Sequence, residues 1–304
     1  MKFIDLYAGI GGFRFALENL GGECVLSAEW NKKCRETYLH NFPVTHQFEF
    51  DVADLAENPQ RIPEHDILTA GFPCQPFSEI GLKNSEQHRS GKCFYDLAKI
   101  INHCRPEYFI LENVRGLLSI DNGKTFKKII KILEIELGYW VYWKVMPAYP
   151  YVPQFRYRVY IVGILNPKFA YQFPEPPIDK NPVVGDIFEK NIPEKYIFDD
   201  KQLASYLDQK KRFPSWAKKL VTENSITIAF LSQYRKANSK FQTIQMDDGR
   251  LRIFMPIEVI RCMGFPDRFE FPPTFSDRQK YKQLGNSVVV PVVEAIAEQL
   301  FDSH

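Results

Sequence analysis

The run Lys2-Phe3-Ile4-Asp5-Leu6-Tyr7-Ala8-Gly9-Ile10-Gly11-Gly12-Phe13 decides the fold class. Its first six residues are strand-like, and the glycines behind them make a turn into a helix expected over about Phe13–Leu20. A strand feeding a glycine turn and then a helix aims backbone N–H groups at the helix N-terminus, where a cofactor's polar end can sit. Working outward, Cys24–Ala28 reads as a second strand, and Asn31 as the cap of a helix to about Asn41. Asp66–Ala70, Tyr108–Leu111, Tyr139–Met146 and Arg158–Leu165 read as further strands, with helices near Phe94–Cys104 and Thr125–Leu137. That alternation predicts an α/β fold with parallel strands and crossover helices. Beyond 165 the rhythm stops. Prolines 167, 174, 176, 177 and 182 mark a connection, and helical patterning returns only at Pro256–Met263 and Pro291–Leu300.

Length and composition set the outer limits. A chain of 304 residues suggests two domains, and 45% hydrophobic residues supply sizeable cores. The net charge of +2 excludes a polybasic tail protein and a disordered acidic chain. No apolar run approaches the roughly 18 residues of a membrane span. The first strand breaks into glycines too soon for a signal peptide, so a cytoplasmic protein without membrane contact is expected. The six cysteines include no Cys-x-x-Cys pair and the six histidines form no ligand cluster, so no metal is expected.

Three places carry chemistry. Gly9 and Gly11 fit a dinucleotide fingerprint, but Arg14 holds its sixth position, which weakens a pyrophosphate reading. Glu29 closes the next strand about 20 residues on, where a carboxylate can accept ribose hydroxyls, and Trp30 beside it can stack on a purine. The bland alternative is a structural turn, a solvated acid and a core tryptophan. Gly71-Phe72-Pro73-Cys74-Gln75-Pro76-Phe77-Ser78 sets a cysteine on a rigid bend behind a strand, where open α/β sheets bind ligands. Cys74 is the candidate nucleophile, whereas the other five cysteines read as small buried hydrophobes. Glu112 closes the strand Tyr108–Leu111 and could exchange a proton with a ring nitrogen, or could simply cap a helix.

Five blocks occur in order: Asp5–Phe13, Pro73-Cys74-Gln75, Glu112-Asn113-Val114, Gln154-Phe155-Arg156-Tyr157-Arg158 and Gln283-Leu284-Gly285-Asn286-Ser287-Val288. Over residues 1–165 and 250–300 the chain resembles the prokaryotic-type DNA (cytosine-5)-methyltransferases. The resemblance implies a Rossmann-like S-adenosylmethionine-dependent methyltransferase domain with a smaller inserted target-recognition domain. The expected boundaries are 1–172 and 273–304 for the catalytic domain and 173–272 for the insert. It implies that Cys74 adds to carbon 6 of a cytosine flipped out of duplex DNA, while Glu112 holds N3. Arg158 would contact the pyrimidine carbonyl, and Arg156 would help place the thiolate and the flipped base. For S-adenosylmethionine it implies the turn Gly9–Gly11, Phe13 against the adenosine, Glu29 on the ribose and Trp30 on the adenine. Asp51 would read the adenine amino group, and Asn286 would close over the methionine end. One departure is Cys93, which stands where the family usually has leucine.

The middle of the chain is basic. Residues 205–252 hold ten Lys and Arg against four acids, a net +6 that leaves −4 for the rest. Such a segment supplies phosphate contacts, although a run such as Lys210-Lys211-Arg212 is commonly a solvated face. Its position matches the family's recognition domain. Thr227-Ile228 resembles the family's Thr-Leu pair, with Thr243-Ile244 competing for the role. Gln233, Arg235 and Lys236 are candidates for reading bases, and Ser78, in a loop that would close over the target nucleotide, for reaching DNA. The implied protein is a monomer acting on double-stranded DNA, either solitary or beside a restriction endonuclease of the same specificity. The tRNA-methylating branch shares the catalytic blocks, and a silent DNA-binding homologue is the reading from another class.

Overall fold

The computed structural model describes residues 1–43, 46–73, 85–167, 170–212, 220–234 and 242–301, the side chains of 85–91, 209, 210 and 212 excepted. Contacts divide the chain into two units. One comprises Met1–Pro147, Tyr157–Glu175 and Val290–His304; the other comprises Ala148–Arg156 and Pro176–Val289.

The first unit is built on β1 (Lys2–Leu6), α1 (Gly12–Asn19), β2 (Glu23–Ala28), α2 (Lys32–Asn41), β3 (Gln47–Glu49), α3 (Val52–Glu57), β4 (Ile67–Gly71) and α4 (Ser85–Cys104). It continues through β5 (Tyr108–Val114), α5 (Lys124–Lys131) with a π turn over Ile132–Glu136, and β6 (Trp140–Pro147). After β7 (Gln154–Phe155), which belongs to the second unit, β8 (Tyr157–Ile164) closes the sheet. The strand order is β3-β2-β1-β4-β5-β8-β6. Five strands are parallel, as the alternating pattern requires. β8 runs antiparallel to both β5 and β6, which that pattern does not reveal. Ile4, Leu6, Leu68, Phe109 and Leu111 are fully buried because helices cover both faces of the sheet. Each such side chain contributes about 1.5–3 kcal/mol. Gly163 is required where β8 crosses Phe109, since a Cβ there would lie 2.0 Å from the ring.

Asn31 caps α2 as expected, its side chain accepting from the N–H groups of Lys33 at 2.9 Å and Cys34 at 3.2 Å. The C-terminal helix returns to this unit. It packs on α1, Asn19 donates to Glu294, and the Tyr171 hydroxyl donates to the Ile296 carbonyl.

The second unit holds α6 (Asp200–Arg212), β9 (Leu220–Val221), β10 (Thr227–Ile228), β11 (Thr243–Gln245), β12 (Leu251–Arg252), α7 (Pro256–Cys262) and α8 (Asp277–Asn286). α9 (Val290–Phe301) is the returning helix of the first unit. β9, β11 and β12 make one small sheet, and β7 pairs with β10 in parallel. The pairing of β7 with β10 draws Ala148–Arg156 into this unit, and α8 packs on α7. The return to the first unit therefore begins at Val290, not at 273. Asp277–Phe301 is the one described stretch long and apolar enough to cross a membrane. Its most apolar window is 56% buried, and the helix breaks after Asn286, as expected of core helices.

Candidate active site

The chemistry-bearing residues of the first unit collect along one edge of its sheet. β1 delivers Tyr7 and the turn Ala8–Gly11, β2 delivers Glu29-Trp30, β3 leads to Asp51, and β4 ends at Gly71. β5 runs on through Val114, so Glu112 lies inside the strand, opposite Gly71 on one side and Tyr160 on the other.

The glycine turn is held by sterics and conformation together. Gly9 and Gly11 have φ of +59° and +87°, and a Cβ on Gly11 would lie 2.3 Å from the Phe42 ring. Arg14, the residue that spoils the dinucleotide fingerprint, is buried. It donates to Glu18 at 2.6 Å and lies 4.2 Å from the Phe42 ring centroid, so it packs α1 onto α2. Glu29 is buried, and its carboxylate accepts from Gly9 N–H at 2.8 Å and Asn31 N–H at 2.7 Å. Burial raises its pKa against the lowering effect of those two bonds. Glu29 thus ties the first and second strand ends into one rim. Trp30 is 49% exposed beside it. Asp51 caps α3 by accepting from Ala53 N–H. A carboxyl group at one rim position, a second at the next strand end and an exposed indole next in sequence to the first fit a nucleoside with a diol and an amino group. Phe13 is buried, within 3.7 Å of where a Cβ on Gly71 would stand, so its ring lies toward the end of β4.

Glu112 and Arg158 meet at this edge. Arg158 Nε lies 2.9 Å from Glu112 Oε1, and both side chains are largely buried. The antiparallel register that pairs Val114 with Arg158 brings them together. Cys74 and Ser78 lie outside the described residues, as do Arg235 and Lys236. The described approach to Cys74 is Gly71-Phe72-Pro73, and Asn113 Nδ2 fixes it by donating to the Phe72 carbonyl at 2.9 Å. Burial pushes the thiols of Cys24 and Cys104 up to about 11 and that of Cys262 up to about 12, as inert structural cysteines require.

Two residues of this edge escape a sequence reading. Tyr7 donates its hydroxyl to the Cys93 carbonyl at 3.0 Å, joining the cofactor turn to α4. Asn113 sits in a quoted block, but nothing in the block distinguishes a strand-to-loop tie from a turn asparagine. Asp5 is fully buried in β1, accepts from the Thr69 hydroxyl at 3.2 Å, and has one oxygen without a hydrogen-bond partner. Burial pushes its carboxyl up to about 7.

In the second unit, Arg156 is buried and donates to the carbonyls of Phe230, Gly285 and Ser287, bracketing the exposed Asn286. Thr227 and Thr243 are both buried, and the Thr227 hydroxyl donates to Gln242. Gln233 is exposed. Of the ten basic residues between 205 and 252, Arg252 is buried against Glu258 at 2.8 Å and Arg250 is held by Asp248 at 2.7 Å. The apparent +6 therefore includes a charge cancelled by a carboxylate outside the segment. Among the described residues, no group of three or more His, Cys, Asp or Glu is placed to hold a metal.

Residues 1–302 match the family described as C-5 cytosine-specific DNA methylase. The chain is 40% identical to Type II methyltransferase M.DsaV of Dactylococcopsis salina, over 99% of this chain and 86% of that protein. It is 39% identical to Type II methyltransferase M.NlaX of Neisseria lactamica, over 98% and 96% respectively. Among solved structures, S. pombe Dnmt2 methyltransferase superposes with a TM-score of 0.82 at 24% identity, covering 100% of this chain and 98% of that one. At that identity the likeness speaks for the fold.

Proposed function

This chain belongs to the C-5 cytosine-specific DNA methylase family, and we propose that it methylates carbon 5 of a cytosine flipped out of duplex DNA, through a covalent adduct of Cys74. It is a DNA cytosine-5 methyltransferase of the kind found in Type II restriction-modification systems. The observation that supports the finer reading is the Arg158–Glu112 pair, 2.9 Å apart at the strand edge from which Gly71-Phe72-Pro73 leads to Cys74.

The Cys74 thiolate adds to carbon 6 of the base, and carbon 5 gains the nucleophilicity that the ring lacks alone. Glu112 holds a proton at N3, so negative charge does not build up on the pyrimidine. Arg158 orients that carboxylate and contacts the neighbouring carbonyl. Once carbon 5 carries the methyl group, loss of its proton to water expels the Cys74 thiolate, returns the N3 proton to Glu112 and restores the aromatic ring. A stacked base cannot offer carbon 6 to a thiol, so the nucleotide must leave the helix. S-adenosylmethionine, when bound, supplies an electrophilic methyl group on a sulfonium. Glu29 would hold its ribose hydroxyls, Trp30 its adenine face, Asp51 its amino group, and the Gly9–Gly11 turn the close backbone approach.

A duplex carrying 5-fluorocytosine at the target tests the adduct. The wild-type protein is expected to form a covalent complex that survives denaturation, and Cys74→Ser to form none. An adduct that persists in Cys74→Ser overturns the assignment. Labelled methyl groups appearing in tRNA and not in duplex DNA would overturn the substrate, and bisulfite sequencing of DNA from expressing cells reads the target sequence.

A further inference from the structure

Strand β10, the Thr227-Ile228 pair, has two edges. One is occupied by β7, with Thr227 opposite Gln154, Ile228 opposite Phe155, and Thr227 N–H donating to the Pro153 carbonyl at 2.9 Å. At the other edge the side-chain amide of Gln242 behaves as a neighbouring peptide would. Its Oε1 accepts from Ile228 N–H at 2.8 Å, and its Nε2 donates to the Ile228 carbonyl at 3.0 Å. The same Oε1 takes the Thr227 hydroxyl. Gln242 is itself anchored, because its carbonyl accepts from the Tyr234 hydroxyl at 3.1 Å, and that hydroxyl accepts from Phe254 N–H at 3.0 Å. Gln242 is 4% exposed, so water competes little for these bonds. The side chains next to it are not buried: Ile228 is 45% exposed and Phe155 43%.

A two-residue strand has too few ladder bonds to fix its own register. We propose that Gln242 is the positioning residue of the recognition strand. It locks β10 so that Ile228 stands beside Phe155 as an apolar ledge that meets the sugar or thymine-methyl face of the duplex. This rests on the reading that the protein methylates duplex DNA. It assigns the Thr227 hydroxyl to the strand's own scaffold, with Ile228 as the side chain presented outward.

The test uses the full chain and two duplexes, one with the bisulfite-defined target and one with a single base pair changed beside it. Wild type is assayed first. If it methylates neither, the functional reading fails before the variant is considered. Gln242→Leu leaves an apolar side chain one atom shorter and removes the three side-chain bonds to Thr227 and Ile228, while the backbone carbonyl keeps its bond from Tyr234. It is expected to raise KM for the target duplex about tenfold or more, to narrow the preference over the altered duplex, and to leave kcat within about threefold. Affinity for S-adenosylmethionine is expected to stay unchanged. A folded Gln242→Leu with wild-type KM and wild-type preference overturns the proposal, as does a loss confined to kcat. If Gln242→Leu does not fold, Thr227→Val removes one bond to the same amide and Thr227→Ser restores it. Val is then expected to shift KM and preference in the same direction and Ser to recover them; no difference between the two overturns the proposal.

Discussion

In the first unit, β1, β4 and β5 bury apolar side chains on both faces, and the backbone bonds run along ladders five or more residues long in β1–β2 and β4–β5. In the second unit β7, β9, β10 and β12 have two residues each, and β11 has three. There the ladders are continued by side chains: Gln154 between Phe230 and Cys262, Arg156 on three carbonyls, and Arg252 against Glu258. A long parallel sheet spreads its stability over many interchangeable contacts. A set of short strands concentrates it in a few polar groups, each of which must be satisfied. The first kind of unit can therefore carry a reactive edge without depending on that edge to stay folded. Glu112→Gln tests this most severely. It is expected to lower kcat by about 10²–10⁴, while urea unfolding stays close to wild type. A large loss of stability in that variant would erase the separation.

The opposite behaviour is expected of Glu258. It is fully buried, pairs bidentately with Arg252 at 2.8 Å, and accepts the N–H groups of Met255 and Glu189. Glu258→Gln keeps an acceptor for the backbone but leaves the Arg252 guanidinium without its counter-charge. The expected cost is about 3–5 kcal/mol, measured by urea denaturation. A loss below about 1 kcal/mol would show that the short strands do not depend on this pair.

The same contrast explains what a reader of the sequence can see. Apolar runs in Phe3–Leu6 and Tyr108–Leu111, the glycine turn and the Asn31 cap are local signals, so β1, α1, β2, α2, β4 and β5 are legible to within a few residues, whereas β3 and α3 carry no such signal and α4 begins at Ser85, nine residues before Phe94. Glu29 and Glu112 are legible because each follows an apolar run at the sheet edge. The antiparallel direction of β8 is not legible, since an apolar run has the same composition in either direction. The polar ties of the second unit are invisible for a different reason. Arg252 counts in the sequence as one of the ten basic residues of the middle segment, and nothing local in the sequence marks Glu258 or Gln242, yet all three are buried. Thr227 reads as a DNA contact by resemblance, whereas its hydroxyl is turned to Gln242.

Asp5 is a fully buried acid within the apolar sheet, and pH sharpens the comparison. Its folded pKa of about 7 lies above the ordinary carboxylate value of 3.8, so the native state favours the protonated form. The stability linked to it is complete below about pH 4 and falls as pH rises towards 7, by roughly 4 kcal/mol at most. Asp5→Asn replaces the acid by a neutral amide of the same shape. The variant is expected to lose less stability than wild type between pH 5 and pH 8 in parallel urea titrations. Equal slopes would mean that Asp5 is ionised when folded.

The smallest effect separates a cap from a site at a single residue. The Asn31 side chain caps α2, while the Asn31 N–H holds Glu29 Oε1 at 2.7 Å. Asn31→Ala removes the first function and keeps the second, because the backbone donor remains. The expected loss is about 1 kcal/mol of stability, with affinity for S-adenosylmethionine, measured by calorimetry, unchanged. A weakened affinity would mean that the rim depends on where α2 begins, so that even in the unit with the long sheet the site rests on one local polar contact, as in the unit of short strands.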